Sequence, residues 1–253
     1  MEEKTNKVFG LLGRNISYSF SKGYFTKKFE ALGLRKHLYK NFDLQRIKDL
    51  PKLIQQETFL KGMNVTIPYK EEVLPYLDEL DQTAKEIGAV NTIKFTEQGG
   101  LKGYNTDVVG FEKSIGPYLK KHHKHALILG TGGASKAVAY ALRKNKIAYK
   151  FVSRNPAGKE EISYQALSEE IMNACHVIVN CTPLGTSPNI HVSPNIPYHL
   201  LSERHLLFDL IYNPEITDFL AKGKQQGAAI KNGYEMLALQ AEESWSIWNE
   251  SKL

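Results

Sequence analysis

The fold of this 253-residue chain is decided by residues 126–135, which read ALILGTGGAS. An apolar strand at 126–129 runs directly into the turn Gly130-Thr131-Gly132-Gly133-Ala134-Ser135, and apolar residues then recur at helical spacing. Glycines let the backbone turn tightly, and a helix N-terminus presents free N–H groups and a partial positive charge. The stretch therefore predicts a strand, turn and helix unit that holds a phosphate group, although serine stands where the full dinucleotide fingerprint has its third glycine.

The cofactor is indicated by the end of the next predicted strand, at 148–152, which is followed by Ser153-Arg154-Asn155. A site for NAD would place Asp or Glu there to bind the ribose hydroxyl. Arg154 can instead form charge-assisted hydrogen bonds to a 2′-phosphate, although taken alone it fits a surface arginine that caps the strand end better. The sequence therefore predicts a Rossmann-like domain that binds NADP.

Strands alternate with helices along most of the chain, which predicts an α/β protein with mainly parallel sheets. Further apolar strands are expected at 8–13, 37–42, 63–67, 176–181 and 205–211, and helices at 25–32, 44–56 and 234–250. A hairpin is predicted at 91–104, around a Gln-Gly-Gly turn. The segment between Arg154 and residue 176 is short, so a helix of the usual nucleotide-binding fold is expected to be truncated or replaced by a loop.

Composition excludes several other classes of protein. The chain is 42% hydrophobic and 24% charged, and its 33 basic against 27 acidic side chains are scattered, which does not favour nucleic acid as a partner. The first residues lack an apolar signal, and no run approaches about 20 apolar residues. We therefore expect a cytoplasmic protein without a membrane partner.

No metal is expected from the cysteines or the histidines. Cys175 and Cys181 match neither a zinc site nor a CxxC redox pair and are predicted to be reduced core residues. His122, His123 and His125 are predicted to lie exposed in a polar linker.

Candidate substrate residues lie where residues 64–70 pass from a strand into a helix. Thr66 and Lys70 would sit at the strand's carboxyl end, with Pro68 at the first helical position. Taken singly, Lys70 also fits a solvated side chain, Asp107 a helix N-cap and Asn91 a turn residue. Gln240 lies on the inward stripe of the last predicted helix, where an unpaired amide would be costly, so a polar ligand is a plausible partner.

Together with Ser17-Tyr18-Ser19, these motifs resemble the shikimate dehydrogenase family, in the same order and over nearly the whole chain. The matching motifs are Ser17 and Ser19, residues 64–70, 88–92, 105–107, 130–135 and 180–182, Tyr212, Gly233 and Gln240. Ile16 and Phe20 depart from the family, which usually has histidine and proline at those positions.

The resemblance implies an enzyme that reduces 3-dehydroshikimate to shikimate with NADPH, reversibly, with Lys70 and Asp107 serving the chemistry. It implies substrate contacts at Ser17, Ser19, Thr66, Lys70, Asn91, Asp107, Tyr212 and Gln240. It implies cofactor contacts at Gly130, Thr131, Gly132, Gly133, Ala134, Ser153, Arg154, Thr182, Leu210 and Gly233.

The resemblance also implies two domains. A substrate-binding domain would comprise residues 1–106 and 233–253, and a Rossmann-like NADP-binding domain residues 107–232. We expect a monomer or homodimer. Quinate or quinate/shikimate dehydrogenation remains an alternative. It is less favoured because, in this family, quinate use is associated with a hydroxyl residue larger than serine at the second serine position, whereas this chain has Ser19 there. The other alternative is a non-catalytic shikimate sensor, which retention of Lys70 and Asp107 disfavours.

Overall fold

The computed structural model describes residues 7–17 and 19–250. The chain divides into two compact units, of which the first holds residues 7–17, 19–106 and 241–250 and the second residues 107–240. The second domain boundary predicted from the sequence lies earlier, at residue 233. Each unit is built on its own sheet, and the predicted α/β class is confirmed.

The first unit has a mixed sheet. Within the described residues its strands are β1 (Lys7–Gly13), β2 (His37–Asp43), β3 (Leu60–Val65), β4 (Glu79–Leu80), β5 (Thr92–Phe95) and β6 (Leu101–Tyr104). Their order across the sheet is β2-β1-β3-β5-β6-β4. β1 pairs in parallel with β2 and β3, and β5 runs antiparallel to β3 and β6. The antiparallel β5–β6 pair confirms the predicted hairpin.

The core of the first unit lies on both faces of this sheet, because successive side chains of a strand point to opposite faces. Val8 and Leu12 of β1 face a cluster with Met63 and other apolar residues. Phe9 and Leu11 face a second, aromatic cluster. These alternating apolar positions explain why the buried strand can be read from the sequence.

Helices and short turns connect the strands of the first unit. They include α1 (Phe20–Ala31), α2 (Leu50–Gln56), α3 (Tyr69–Glu72) and α4 (Gln82–Ile87). The helix expected from residue 44 begins later, as a 3-10 turn at Ile47–Asp49 that leads into α2. The predicted start was wrong because the backbone of Leu44 is used elsewhere: its N–H donates to Gly13 O (2.9 Å), and its carbonyl accepts from Tyr69 OH (2.6 Å).

The second unit has a fully parallel sheet. Within the described residues its strands are β7 (His125–Leu129), β8 (Ala148–Ser153), β9 (Glu161–Ser163), β10 (Val177–Asn180), β11 (Leu206–Asp209) and β12 (Ala229–Lys231). They lie in the order β12-β11-β10-β7-β8-β9. All the pairings between them are parallel. The strands predicted at 126–129, 148–152, 176–181 and 205–211 are confirmed, with ends that differ by one or two residues.

The second unit's helices complete the alternating pattern. They are α5 (Asp107–Ile115), α6 (Gly133–Lys144), α7 (Glu169–Ala174), α8 (Asp218–Gln225) and the start of α9 (Tyr234–Asn249). Residues 154–160 join β8 to β9 without a helix, but the six-residue α7 lies between Arg154 and residue 176, so the segment keeps a short helix and is not a loop alone. From Ala241 onward α9 belongs to the first unit, where Trp248 Nε1 donates to Ile93 O (3.0 Å). No described helix is long and apolar enough to cross a membrane.

The histidines before β7 correct one prediction. His123 was expected to be exposed, but it is 4% exposed. Its Nδ1 accepts from Lys120 N (3.0 Å), and its Nε2 lies 3.2 Å from the carbonyl oxygen of Arg204. Burial lowers the pKa of His123. The linker is therefore anchored to the second unit, which a polar sequence alone does not indicate.

Candidate active site

The loop after β1 is held by side chains of β2. The Asp43 carboxylate accepts from the backbone N–H groups of Asn15 (2.9 Å) and Ile16 (3.3 Å). Asn41 Nδ2 donates to Ile16 O (2.9 Å). Ile16 itself is buried in the aromatic cluster. Asn15 and Ile16, just before the two predicted serines, are therefore held in place although Ile16 departs from the family pattern.

Ser19 precedes α1 without capping it. It stands at the N-cap of α1, where a serine hydroxyl normally accepts from the first turn, but its side chain makes no capping bond. Its Oγ is buried and has no hydrogen-bond partner among the described residues. A buried hydroxyl without a partner costs about 1–3 kcal/mol, so an oxygen of a ligand would stabilise this arrangement. Ser17 is exposed in the same loop, and Tyr18 lies outside the described residues.

The carboxyl end of β3 collects the next predicted residues. Thr66 N donates to Leu12 O (2.9 Å). A Cβ on Gly13 would lie 2.6 Å from Thr66 Cγ2, so glycine permits this close approach. Lys70 lies in α3, and its carbonyl accepts from Val90 N (2.7 Å), just before Asn91. Pro68 precedes α3 rather than opening it, which corrects its predicted place.

Asn91 is fixed by buried hydrogen bonds. Its Oδ1 accepts from Thr106 N (2.7 Å), and its Nδ2 lies 3.0 Å from Thr106 Oγ1. The hydroxyls of Thr92 and Ser244 lie 2.8 Å apart beside them. The side-chain amide of Asn91 is therefore held in a single orientation just before the first strand of the hairpin. A side chain that binds hydroxyl groups requires such a fixed orientation.

Asn64 is a member of this network that sequence reasoning assigned no role. Its Oδ1 accepts from Tyr39 OH (2.7 Å), and its Nδ2 donates to Ser244 Oγ (2.9 Å) and Thr92 Oγ1 (3.2 Å). Burial raises the pKa of Tyr39, so this phenol stays protonated as a donor. The one available signal was an amide side chain between the apolar residues Met63 and Val65.

In the second unit the glycine turn leaves open space at the N-terminus of a helix. Gly130 has a φ of +101°, in the region that favours glycine, and a Cβ there would lie 3.1 Å from Thr182 Cγ2. A Cβ on Gly132 would meet no atom within 4 Å, so the space above it is open. Gly133 opens α6 beneath it, with Ala134 in the first turn and Thr131 exposed beside the turn.

Ser135 explains the missing third glycine. It is fully buried, and its Oγ donates to Gly132 O (2.6 Å). The serine therefore packs inside the turn and braces it, so its hydroxyl does not take the space of a ligand. The turn keeps its shape without the complete fingerprint.

Arg154 lies at the carboxyl end of β8, beside the turn. It is exposed and makes no ion pair or side-chain hydrogen bond with any described residue. Ser153 Oγ accepts from Asn155 N (3.2 Å) and so shapes the bend that follows. The exposed Arg154 and the open glycine turn together suit a ligand with one phosphate group at the turn and another at the arginine.

The carboxyl ends of β10 and β11 bring three further predicted residues together. Thr182 donates through its N–H and Oγ1 to Asn180 Oδ1 (3.0 and 2.7 Å). Gly233 packs so closely that a Cβ there would lie 2.1 Å from Leu210 O. Gly233 N donates to Ile211 O (3.0 Å). Thr182 also lies near the glycine turn, since a Cβ built on Gly130 would lie 3.1 Å from its Cγ2.

The remaining predicted residues also belong to the second unit. Asp107 is 6% exposed and is the first residue of α5. Tyr212 is half-buried after β11. Gln240 is 6% exposed, and its Nε2 donates to Leu237 O (3.1 Å) within its own helix. No group of three or more His, Cys, Asp or Glu side chains is arranged to hold a metal ion within the described ranges.

These features define the class of the second unit. A parallel sheet, a glycine turn after its central strand and a free arginine beside that turn make it a Rossmann-like dinucleotide-binding fold. The open space at Gly132, the N-terminus of α6 and Arg154 fit the pyrophosphate and 2′-phosphate of NADP in charge and in room.

Comparisons with known proteins identify the family. Residues 11–93 match the model of the shikimate dehydrogenase substrate-binding domain. A shikimate dehydrogenase (NADP(+)) of Methanococcus maripaludis is 36% identical, over 100% of this chain and 94% of the relative. The chain belongs to the shikimate dehydrogenase family.

Solved structures agree with this assignment. The shikimate 5-dehydrogenase of Thermus thermophilus, in complex with NADP(H) and shikimate, matches with a TM-score of 0.84 and 31% identity, over 96% of this chain and 93% of that one. A quinate dehydrogenase from Corynebacterium glutamicum, in complex with NAD, matches with a TM-score of 0.84 and 26% identity, over 97% and 94%.

Proposed function

We propose that this protein catalyses the reversible NADPH-dependent reduction of 3-dehydroshikimate to shikimate, in the biosynthesis of chorismate and aromatic amino acids. The observation that carries the proposal is the match over the full chain to enzymes named shikimate dehydrogenase (NADP(+)). The first unit would bind the substrate and the second the cofactor. The reaction would take place in the cytoplasm, with the protein a monomer or homodimer and neither nucleic acid nor a membrane as partner.

Lys70 and Asp107 are the proposed catalytic pair. NADPH, when bound, supplies the hydride that reduces the ketone carbon. The Lys70 ammonium donates a proton to the ketone oxygen, and the Asp107 carboxylate orients that ammonium or shares its proton. In the oxidative direction Lys70 accepts the proton from the hydroxyl group.

Polar groups of the first unit would orient the substrate. The Ser19 hydroxyl, buried without a partner among the described residues, and that of Ser17 would donate to the substrate carboxylate. Thr66 and Asn91 would bind ring hydroxyls. Asn91 is supported in this role by its locked orientation against Thr106. Gln240 and Tyr212 would complete the contacts, as the family resemblance implies.

NADP is the proposed cofactor rather than NAD. Arg154 is a cation at the strand end where an acidic side chain would be needed for the ribose hydroxyls of NAD. The backbone from Gly130 to Gly133 would hold the pyrophosphate. Ser153, Thr131 and Ala134 would lie beside the phosphate groups of the bound cofactor. Thr182, Leu210 and Gly233 would line the remaining length of the cofactor.

The decisive experiment measures turnover of the purified protein with shikimate and with quinate, each with NADP and NAD. We expect turnover with shikimate and NADP. In Lys70→Ala we expect kcat to fall by about a hundredfold or more. Lys52→Ala is the matched control, because Lys52 is an exposed lysine of α2 in the same unit, and it should keep normal kcat.

Each other outcome has a definite meaning. Preference for quinate would make the protein a quinate dehydrogenase. Binding of shikimate without turnover would make it a sensor and would overturn the proposal. Near-normal kcat and substrate affinity in Lys70→Ala would refute only the role given to Lys70.

A further inference from the structure

Asp209 is a fully buried carboxylate at the end of β11 with no assigned role. Its Oδ1 accepts from Ile211 N (3.0 Å) and Asn180 Nδ2 (3.0 Å), and its Oδ2 accepts from Thr217 Oγ1 (2.6 Å). No cation pairs with it in the described part of the chain, and burial raises its pKa to about 6. An apolar residue would fill a core position at lower cost, so this carboxylate needs an explanation beyond packing.

The groups that donate to Asp209 lead directly to the predicted cofactor residues. Asn180, held through its Nδ2, accepts through its Oδ1 from both donors of Thr182. Ile211, held through its N–H, follows Leu210, and its carbonyl accepts from Gly233 N (3.0 Å). One carboxylate therefore fastens both strand ends from which these contacts project.

The position of this network in the sheet indicates which part of the cofactor it serves. The glycine turn follows β7, and β8 with Arg154 lies on one side of it, whereas β10 and β11 lie on the other. With the pyrophosphate at the turn and the 2′-phosphate at Arg154, the nicotinamide half must extend over the ends of β10 and β11.

We propose that Asp209 is a positioning residue that holds Thr182, Leu210 and Gly233 in place for the nicotinamide half of the cofactor. This inference rests on the proposed function, because it assumes that NADP binds along the glycine turn. It predicts that Asp209 affects affinity for the whole dinucleotide and not for its adenosine end.

The test compares two ligands by calorimetry: NADPH, and adenosine 2′,5′-bisphosphate, which has the 2′-phosphate end but no nicotinamide. We expect Asp209→Ala to raise the Kd of NADPH about tenfold and to leave the Kd of the bisphosphate within about twofold. Asn180→Ala removes the link to Thr182 and should likewise raise the Kd of NADPH but not that of the bisphosphate. This second variant tests the inference if Asp209→Ala does not fold.

Two further variants separate positioning from general loosening. Asp209→Asn should bind NADPH nearly as the wild type does at pH 8, because its amide oxygen accepts from Ile211 and Asn180 while its Nδ2 donates to Thr217 Oγ1. Asp218→Asn removes a carboxylate at the start of α8 that makes no side-chain hydrogen bond with any described residue, and it should change neither Kd.

Equal weakening of both ligands in Asp209→Ala and Asn180→Ala would overturn the inference, since it would indicate loss of the fold. Unchanged NADPH affinity would also overturn it. Failure of the wild type to bind either ligand would instead overturn the proposed function, so the two failures are distinguishable.

Discussion

A glycine in the middle of β3 gives the sharpest test of the first unit's packing. A Cβ on Gly62 would lie 2.3 Å from Trp248 Nε1 and 2.4 Å from Trp248 Cδ1. Both atoms belong to a rigid indole ring that is 8% exposed. In Gly62→Ala the ring or the strand must therefore move, since neither distance is possible between nonbonded atoms.

The size of the effect follows from what holds the indole. Trp248 Nε1 donates to Ile93 O (3.0 Å), and the ring lies against Phe9 and Phe25, with centroids 4.9 and 5.4 Å away. Losing the hydrogen bond costs about 1 kcal/mol. Overpacking of a filled core costs about 1–3 kcal/mol more. We expect Gly62→Ala to lower the free energy of unfolding of this unit by roughly 2–4 kcal/mol.

Tryptophan fluorescence during urea unfolding measures this directly, because the chain's two tryptophans, Trp245 and Trp248, both lie in the first unit. Gly23→Ala is the matched control. Gly23 is exposed inside α1, and a Cβ there would meet nothing within 4 Å. Alanine should stabilise this helix by about 0.5–1 kcal/mol. A Gly62→Ala protein with wild-type emission and an unfolding midpoint at or above the wild-type value would refute the reasoning.

Three other perturbations have defined outcomes. Arg154→Ala should weaken NADPH binding roughly ten- to a hundredfold and leave NADH binding nearly unchanged; an unaltered ratio of the two affinities would contradict the role of Arg154. Burial raises the pKa of Asp209 from 3.8 to about 6, so the native state binds more protons and stability falls as pH rises between these values. Relative to Asp209→Asn, hydrogen exchange of the second unit should show the wild type losing about 2 kcal/mol across that window, and parallel pH profiles would exclude the linkage. Tyr39→Phe leaves Asn64 Oδ1 without its donor, and it should cost about 1–3 kcal/mol in the same urea assay; an unchanged midpoint would show that the oxygen finds another partner.

Local patterns were sufficient for the parts of the fold that depend on neighbours in sequence. The apolar run of β7, the turn that begins at Gly130 and the helix after it are adjacent along the chain, so their order predicts a strand, turn and helix. The shortness of the segment after Arg154 was predictable for the same reason, and the helix that it holds, α7, has six residues.

Long-range partners explain what local patterns missed. Leu44 has helix-compatible neighbours, but its backbone bonds to Gly13 and to the distant Tyr69 instead. His123 lies in a polar stretch, yet its ring is buried against the backbone of Arg204. Asp209 ends an apolar strand, and its three donors come from separate segments. At Leu44 and His123 the deciding contacts join residues far apart in sequence, and at Asp209 one donor, Asn180, is 29 residues away.

Hydroxyl residues at helix starts differ in whether they cap the helix. Ser168 and Thr217 cap α7 and α8 by accepting from Ile171 N and Leu220 N. Ser19 occupies the same position before α1, but its buried Oγ caps nothing and has no partner among the described residues. The sequence treats all three positions alike. Only at Ser19 does folding leave the cost of a buried hydroxyl uncompensated within the described chain, and a substrate carboxylate would compensate it.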